Sequence, residues 1–249
     1  MMYKRPMNIA HRGARALAPE NTLAAFRVAQ QLGADGIELD IFLCSSGELV
    51  VTHDDDLSIW TSTVGRVSNS PLALLKELDF GSHFSSQFAR EQIPTLQEVI
   101  DSLSNTMFIN IEVKTLSLKP IAEVLAVAEL ISKNNLYHRA LVSSFNPLVL
   151  YHLKKVDPNI AKGLLFEFRL PIYLGSLSST VLKLQALHPD KKLTDEKLIL
   201  RAKRFGYLVN TWTVNEIDEM RRLIYLGVDS IITDCPDLLK QVFLEEKLI

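Results

Sequence analysis

Between Asn8 and Thr233 the chain changes its hydrophobic period again and again. Short runs rich in Ile, Val and Leu read as strands, and between them apolar residues recur every three or four positions, as on one face of a helix. The first strand covers residues 8–10 and ends at His11. A helix follows from Leu23, capped by Asn21 or Thr22 and stopped by Gly33. Strands are expected at 36–43 and, after the Ser45-Ser46-Gly47 turn, at 49–52. Further on, a Thr95-capped helix leads to a strand over 108–114. Helices over 120–133 and 146–156 flank a strand at 140–145. The remainder reads as a strand near 162–166, a helix after Pro171, a weak strand at 184–187 and a helix over 194–205. A strand at 208–214, a helix over 215–226, a strand at 230–233 and a helix opened by Pro236 complete the chain. Strand and helix thus alternate about eight times without a linker or a shift in composition, which predicts an α/β fold: one (β/α)8 barrel spanning 1–249. The competing fold, an open doubly wound sheet, calls for a Gly-rich phosphate loop after the first strand, and none is present. Only 54–92, after the second strand region, breaks the rhythm. Apart from a short helix at 71–78 it has little periodicity, and it is too long for an ordinary connection, so it is expected to be an inserted cover over a site.

In such a barrel the chemistry collects where strands end. His11, Glu38, Asp40, His53, Glu112, Lys114, Trp212 and Asp234 all fall at or near those ends. Glu38 and Asp40 alternate with Leu39 and Ile41, so both acids point to one face. Asn110, Glu112 and Lys114 likewise alternate with Ile111 and Val113. Acids converging on an apolar strand face repel one another unless a cation joins them, and three carboxylates favour a hard one, Mg2+ or Ca2+. His11 and His53 bracket the first acid pair and are suited to act as acid and base. Lys114 reads as the salt-bridge neighbour of Glu112, as a phosphate ligand, or as both. Arg12, whose guanidinium matches phosphate oxygens, is a candidate second clamp. Trp212 leaves two readings open: a core aromatic, or a residue of the barrel mouth on the face it shares with Asn210. Asn21, Thr22 and Asp234 read as helix caps. Phe80, Phe84 and Phe88, four apart, read as a helical stripe that packs the cover down. His83, His138, His152 and His188 lie outside the constellation.

The formal charge of −2 and a pI near 6.3 argue against a nucleic-acid-binding surface. Cys44 and Cys235 lie far apart with no metal-type spacing, and read as small buried apolar residues in a reducing compartment. No window approaches the length of a membrane span, and the first residues carry charge without an apolar run, so secretion and membrane insertion are not expected. The expected location is the cytoplasm, and the expected partner is a small molecule. The sequence is silent on oligomeric state.

His11-Arg12-Gly13, Pro19-Glu20-Asn21-Thr22, Glu38-x-Asp40, His53-Asp54, Ile111-Glu112-x-Lys114, Trp212-Thr213-Val214-Asn215 and Thr233-Asp234-x-Pro236 occur in this order from residue 8 to about 240. The ordered set resembles the glycerophosphodiester phosphodiesterases. That resemblance implies a TIM barrel with a small insertion after the second histidine, in agreement with the 54–92 segment. It implies Mg2+ or Ca2+ on Glu38, Asp40 and Glu112, His11 and His53 as the acid–base pair, Arg12 and Lys114 on the phosphate, and Trp212 against the glycerol. The implied reaction is hydrolysis of a glycerophosphodiester to glycerol 3-phosphate and an alcohol. One run departs from the family, which commonly has Leu-x-Arg-Thr-Thr where this chain has Leu57-Ser58-Ile59-Trp60-Thr61. A phospholipase acting on intact lipids would want a basic or apolar docking surface or a secretion signal, and neither is visible. A barrel that merely binds phosphorylated ligands would have no use for both histidines and all three acids.

Overall fold

The structure, a computed structural model, describes residues 5–115, 117–168 and 181–249. Its strands are β1 (Met7–His11), β2 (Gly36–Leu43), β3 (Leu49–Val51), β4 (Phe108–Val113), β5 (Ala140–Ser144), β6 (Ala161–Phe166), β7 (Ala186–Pro189), β8 (Leu208–Thr211) and β9 (Ser230–Thr233). All but β3 run parallel, and pairing of β1 with both β9 and β2 closes them into a (β/α)8 barrel. β3 folds back antiparallel on the upper end of β2 and stands outside the closed ring. The helix expected after Pro171 lies outside the described residues.

The helices form where the caps permit. Thr22 accepts a hydrogen bond from Ala25 N ahead of Leu23–Leu32, and Gly33 ends that helix in the left-handed region at φ 79°. Thr95 and Glu98 form a reciprocal capping box at the start of Leu96–Ser102. Asn146 caps Pro147–Val156, and Asp195 caps Glu196–Arg204. Outward strand residues such as Ile37, Leu39, Ile41, Ile109 and Ile111 are fully buried beneath these helices. Each such side chain stabilises the fold by about 1.5–3 kcal/mol relative to exposure.

The 54–92 cover has its own small core of Leu57, Val67, Leu75 and Phe80, packed on Cys44, Val50 and Ile93. It consists mostly of turns, with 3-10 segments at Leu57–Ile59, Val67–Asn69 and Ser86–Phe88 and one short helix, Leu72–Leu75. The expected Phe80-Phe84-Phe88 helical stripe is therefore corrected. Phe80 is buried, whereas Phe84 is exposed and meets Phe88 edge-on at 5.6 Å. Trp60, in the run that departs from the family, faces His83 with ring centroids 5.2 Å apart. Of the two cysteines, both free, Cys44 is buried but Cys235 is half-buried.

The weak strand expected at 184–187 is found at 186–189, and the shift carries His188 into the barrel. His188 pairs with Leu165, two residues beyond Gly163, on the inward face. A Cβ at Gly163 would stand 2.5 Å from His188 Nε2, so glycine is what lets the ring cross the interior. Burial pushes the His188 imidazole down to about 3, so it is neutral in the folded chain. The unfolded imidazole takes up a proton near pH 6.5, and stability therefore falls as pH drops through the window between these values. Replacing His188 with Gln is expected to flatten that loss by about 2–3 kcal/mol between pH 7 and pH 4.5. Urea unfolding across this range measures it; identical pH slopes for both proteins would contradict a buried neutral imidazole.

Candidate active site

A cavity of about 810 Å³ opens at the C-terminal ends of the strands. The chain leaves β1 through two successive left-handed residues, Arg12 at φ 54° and Gly13 at φ 81°. A Cβ at position 13 would lie 2.7 Å from Ala25, so only glycine fits there. This tight turn keeps His11 facing inward and returns Arg12 over the acids. Arg12 N donates to Glu38 Oε2 at 3.1 Å, Nη1 donates to Glu20 Oε1 at 2.7 Å, and Nε lies 3.2 Å from Asp40 Oδ2. Glu20 also holds Arg15 at 2.9 Å. Asn21 does not cap a helix as expected. Its Nδ2 donates to Asp40 Oδ2 at 2.9 Å, and its Oδ1 accepts from Asp40 N at 3.3 Å. Within Pro-Glu-Asn-Thr, therefore, Glu20 anchors Arg12, Asn21 anchors Asp40, and Thr22 caps.

β2 and β4 are neighbours, with Glu38 beside Asn110 and Asp40 beside Glu112. One oxygen from each of Glu38, Asp40 and Glu112 lies within 4.8 Å of the others. Burial, and then the charges of Asp40 and Glu112, push Glu38 well above the usual carboxylate range. Burial, and then Asp40, push Glu112 up to about 7. Burial works against Asp40 too, but the charges of Arg12, Lys114 and His53 outweigh it and hold this carboxyl low. Lys114 Nζ sits 3.2 Å from Glu112 and 3.6 Å from Asp40. Even with both cations in place, two of the three carboxyls resist ionisation. An all-oxygen donor set with that residual repulsion fits a hard divalent cation.

Asp234, expected to cap the last helix, makes no such cap and instead accepts from His11. Its Oδ1 is 2.6 Å from His11 Nδ1. Oδ2 of Asp234 accepts from Asn215 Nδ2 at 2.7 Å, while Asn215 Oδ1 accepts from Asp234 N at 3.0 Å. The proton is thereby held on Nδ1, and the Nε2 lone pair faces the mouth, 3.9 Å from Glu38. His53, just beyond β3, has the same kind of support, with Asp54 Oδ2 2.9 Å from its Nδ1. Trp212 lines the mouth, its Nε1 donating to His188 O at 2.8 Å and its ring edge-on to Phe145 at 5.5 Å. All eight residues singled out in the sequence converge here. The sequence did not assign Glu20, Asn21, Asp54, Asn215 and Asp234 the supporting roles they take here. Of these only Asp54 stands next to the residue it holds; Asp234 lies 223 positions from His11.

The profile of the Glycerophosphoryl diester phosphodiesterase family matches residues 11–238. The chain is 41% identical to the glycerophosphodiester phosphodiesterase of Caldanaerobacter subterraneus subsp. tengcongensis, over 93% of this chain and 95% of that protein. It is 30% identical to the glycerophosphodiester phosphodiesterase of Bacillus subtilis, over 96% of this chain and 86% of that one. Among solved structures, an Oleispira antarctica phosphodiesterase in complex with the product sn-glycerol-3-phosphate superposes with a TM-score of 0.86. It is 32% identical, with 94% of this chain and 95% of that one covered.

The Asp234–His11 pair predicts a specific response. Asp234→Asn can donate to Nδ1 and so favours the opposite tautomer, with the proton on Nε2. Turnover is expected to fall about 10²–10⁴-fold, by analogy with the loss of an orienting carboxylate in a serine-protease triad, with little change in thermal stability. Nitrogen NMR of the imidazole reads the tautomer directly. An unchanged tautomer and unchanged kcat would deny Asp234 this role.

Proposed function

The chain belongs to the glycerophosphoryl diester phosphodiesterase family, and from this premise we propose that it hydrolyses glycerophosphodiesters to glycerol 3-phosphate and an alcohol, with His11 and His53 as the acid–base pair. The observation that carries this reading is the arrangement of the mouth. Three crowded buried carboxylates and two cations share one cavity with two histidines, each oriented through Nδ1 by an aspartate.

A divalent cation, Mg2+ or Ca2+, held by Glu38, Asp40 and Glu112 would supply Lewis-acid charge to a phosphoryl oxygen. Lys114 and Arg12 bind the phosphate and offset the charge that builds on its oxygens. Glu20 and Asp40 engage Arg12 at Nη1 and Nε, and the guanidinium has further N–H groups to turn toward the substrate. One imidazole takes the proton of the attacking oxygen, and the other gives a proton to the departing alkoxide. Both work through Nε2, because the aspartates occupy Nδ1. Trp212, braced by Phe145, forms a flat apolar wall for the glycerol carbons. Phe42 and Arg66 line the same cavity from the side of β2 and the cover, where the alcohol would lie. With a mouth cavity of about 810 Å³, tolerance of choline, ethanolamine and glycerol esters is expected. We place the reaction in the cytoplasm, given two free cysteines. No helix among the described residues is long and apolar enough to cross a membrane.

Product identification from a panel of soluble glycerophosphodiesters tests the reaction. Glycerol 3-phosphate is expected from several head groups, with activity lost on chelation and restored by Mg2+ or Ca2+. A clear kcat/KM preference for diacyl phospholipid vesicles would overturn the substrate assignment, and full activity after exhaustive chelation would overturn the metal. His11→Ala and His53→Ala are each expected to slow turnover by about 10²–10⁴-fold. Near-normal turnover in either folded variant would break the pairing.

A further inference from the structure

A barrel of this kind ordinarily fills its interior with branched apolar side chains. Here buried Ile9, Leu141, Leu165 and Ile232 share the interior with polar side chains. Pairing register puts Asn110 of β4, Ser143 of β5, His188 of β7 and Asn210 of β8 on the inward face. Their exposures are 2%, 0%, 1% and 5%. His188 Nε2 and Asn210 Nδ2 lie 3.1 Å apart and share a hydrogen bond. Asn110 Nδ2 and Oδ1, Ser143 Oγ, His188 Nδ1 and Asn210 Oδ1 have no hydrogen-bond partner among the described residues. Each buried polar atom left unpaired costs about 1–3 kcal/mol, and folded proteins keep few of them. So many on one inward face point to a shared ligand.

The composition of the layer selects that ligand. It offers donors (an amide NH₂, a hydroxyl and an imidazole N–H) together with acceptors (two amide oxygens and the same hydroxyl). It carries no net charge, since burial keeps His188 neutral. A cation would leave the donors unpaired, and an anion would face the amide oxygens. Water donates two hydrogen bonds and accepts two, and so satisfies both kinds. The layer also has a defined neighbour. Asn110 is the register partner of Glu38, and Ser143 is the register partner of Glu112. Asn110 lines the mouth cavity as well.

We propose that Asn110, Ser143, His188 and Asn210 hold a cluster of buried water beneath the mouth, and that through it Asn110 and Ser143 act as positioning residues for the Glu38 and Glu112 carboxylates. Each carboxylate has more lone pairs than one bound cation can use. A water fixed by Asn110 or Ser143 engages the spare ones and holds the carboxylate rotamer. Partners of this kind behind metal ligands typically contribute 10–100-fold in metal affinity. The positioning half of the proposal rests on the metal reading above, whereas the hydration half does not.

Two measurements on the full-length metal-free protein separate these halves. Water-to-protein cross-relaxation in labelled protein is expected to show long-lived water at the His188 ring and the Asn110 amide. Absence of those cross-peaks, or a high-resolution crystal structure in which the four side chains pair with one another, would overturn the hydration site. Calorimetric titration with Mg2+ and with Ca2+ then compares wild type, Asn110→Leu, Ser143→Ala and Ser143→Thr. Affinity is expected to fall about 10–100-fold in the first two variants and to stay within a few-fold of wild type in Ser143→Thr, which keeps the hydroxyl. Thermal unfolding of metal-free Ser143→Ala is expected to match wild type, and this variant removes a single oxygen, so it reports even if Asn110→Leu does not fold. Equal affinities in all four proteins, or a loss that follows a lowered Tm, would overturn the positioning role. If wild type binds neither cation, the metal reading and the positioning role fall together, and the water measurement still decides the hydration site.

Discussion

Mutual repulsion among Glu38, Asp40 and Glu112 is the force that the mouth of this barrel is built to contain. Three carboxylate oxygens within 4.8 Å of one another, away from bulk water, cannot all carry charge unaided, and the upward shifts of Glu38 and Glu112 express that. Arg12 and Lys114 supply two opposing charges, and both are themselves constrained. Arg12 is pinned by Glu20 and reaches the acids only because Gly13 permits the turn that follows His11. Asp40, the member held ionised, is the one that receives the Asn21 amide and lies near both cations. A one-residue slip between β2 and β4 would turn this face outward, and the apolar residues on the opposite face forbid the slip, because they would lose their burial beneath the helices.

The histidines depend on the fold at a longer range. His11 is held by Asp234, and the two meet because β1 pairs with β9, the contact that closes the barrel. Closure and imidazole orientation are therefore one event: a chain that failed to seat its last strand would lose the tautomer at its first. His53 arrives by a different route, on the antiparallel hairpin of β2 and β3 that precedes the cover. The cover's own small core, with Phe42 and Trp60 packed against it, ties that hairpin to the rim where Arg66 faces the cavity. Trp60, in the run that departs from the family pattern, lines a small pocket beside the mouth together with His53 and Asn21.

Much of this was present in the sequence as pattern. Strand–helix alternation determined the barrel, because period-two and period-3.6 burial are local properties that survive without knowledge of the partner. Alternation also put Glu38 with Asp40, and Glu112 with Lys114, on single faces, and the strand-end rule gathered all eight candidate residues. Where local signals compete, the reading slipped. Asn21 and Asp234 have cap chemistry and stand next to helices, yet their carbonyl and carboxylate oxygens serve Asp40 and His11 instead. Only the tertiary structure decided those pairings, because hydrogen bonds between residues 19 or 223 positions apart leave no periodic trace. It also decided the fate of His188. Strand pairing with β6 starts two residues later than the apolar pattern suggests, and a glycine on the neighbouring strand opens room for an imidazole that the sequence alone gave no reason to place inside the barrel.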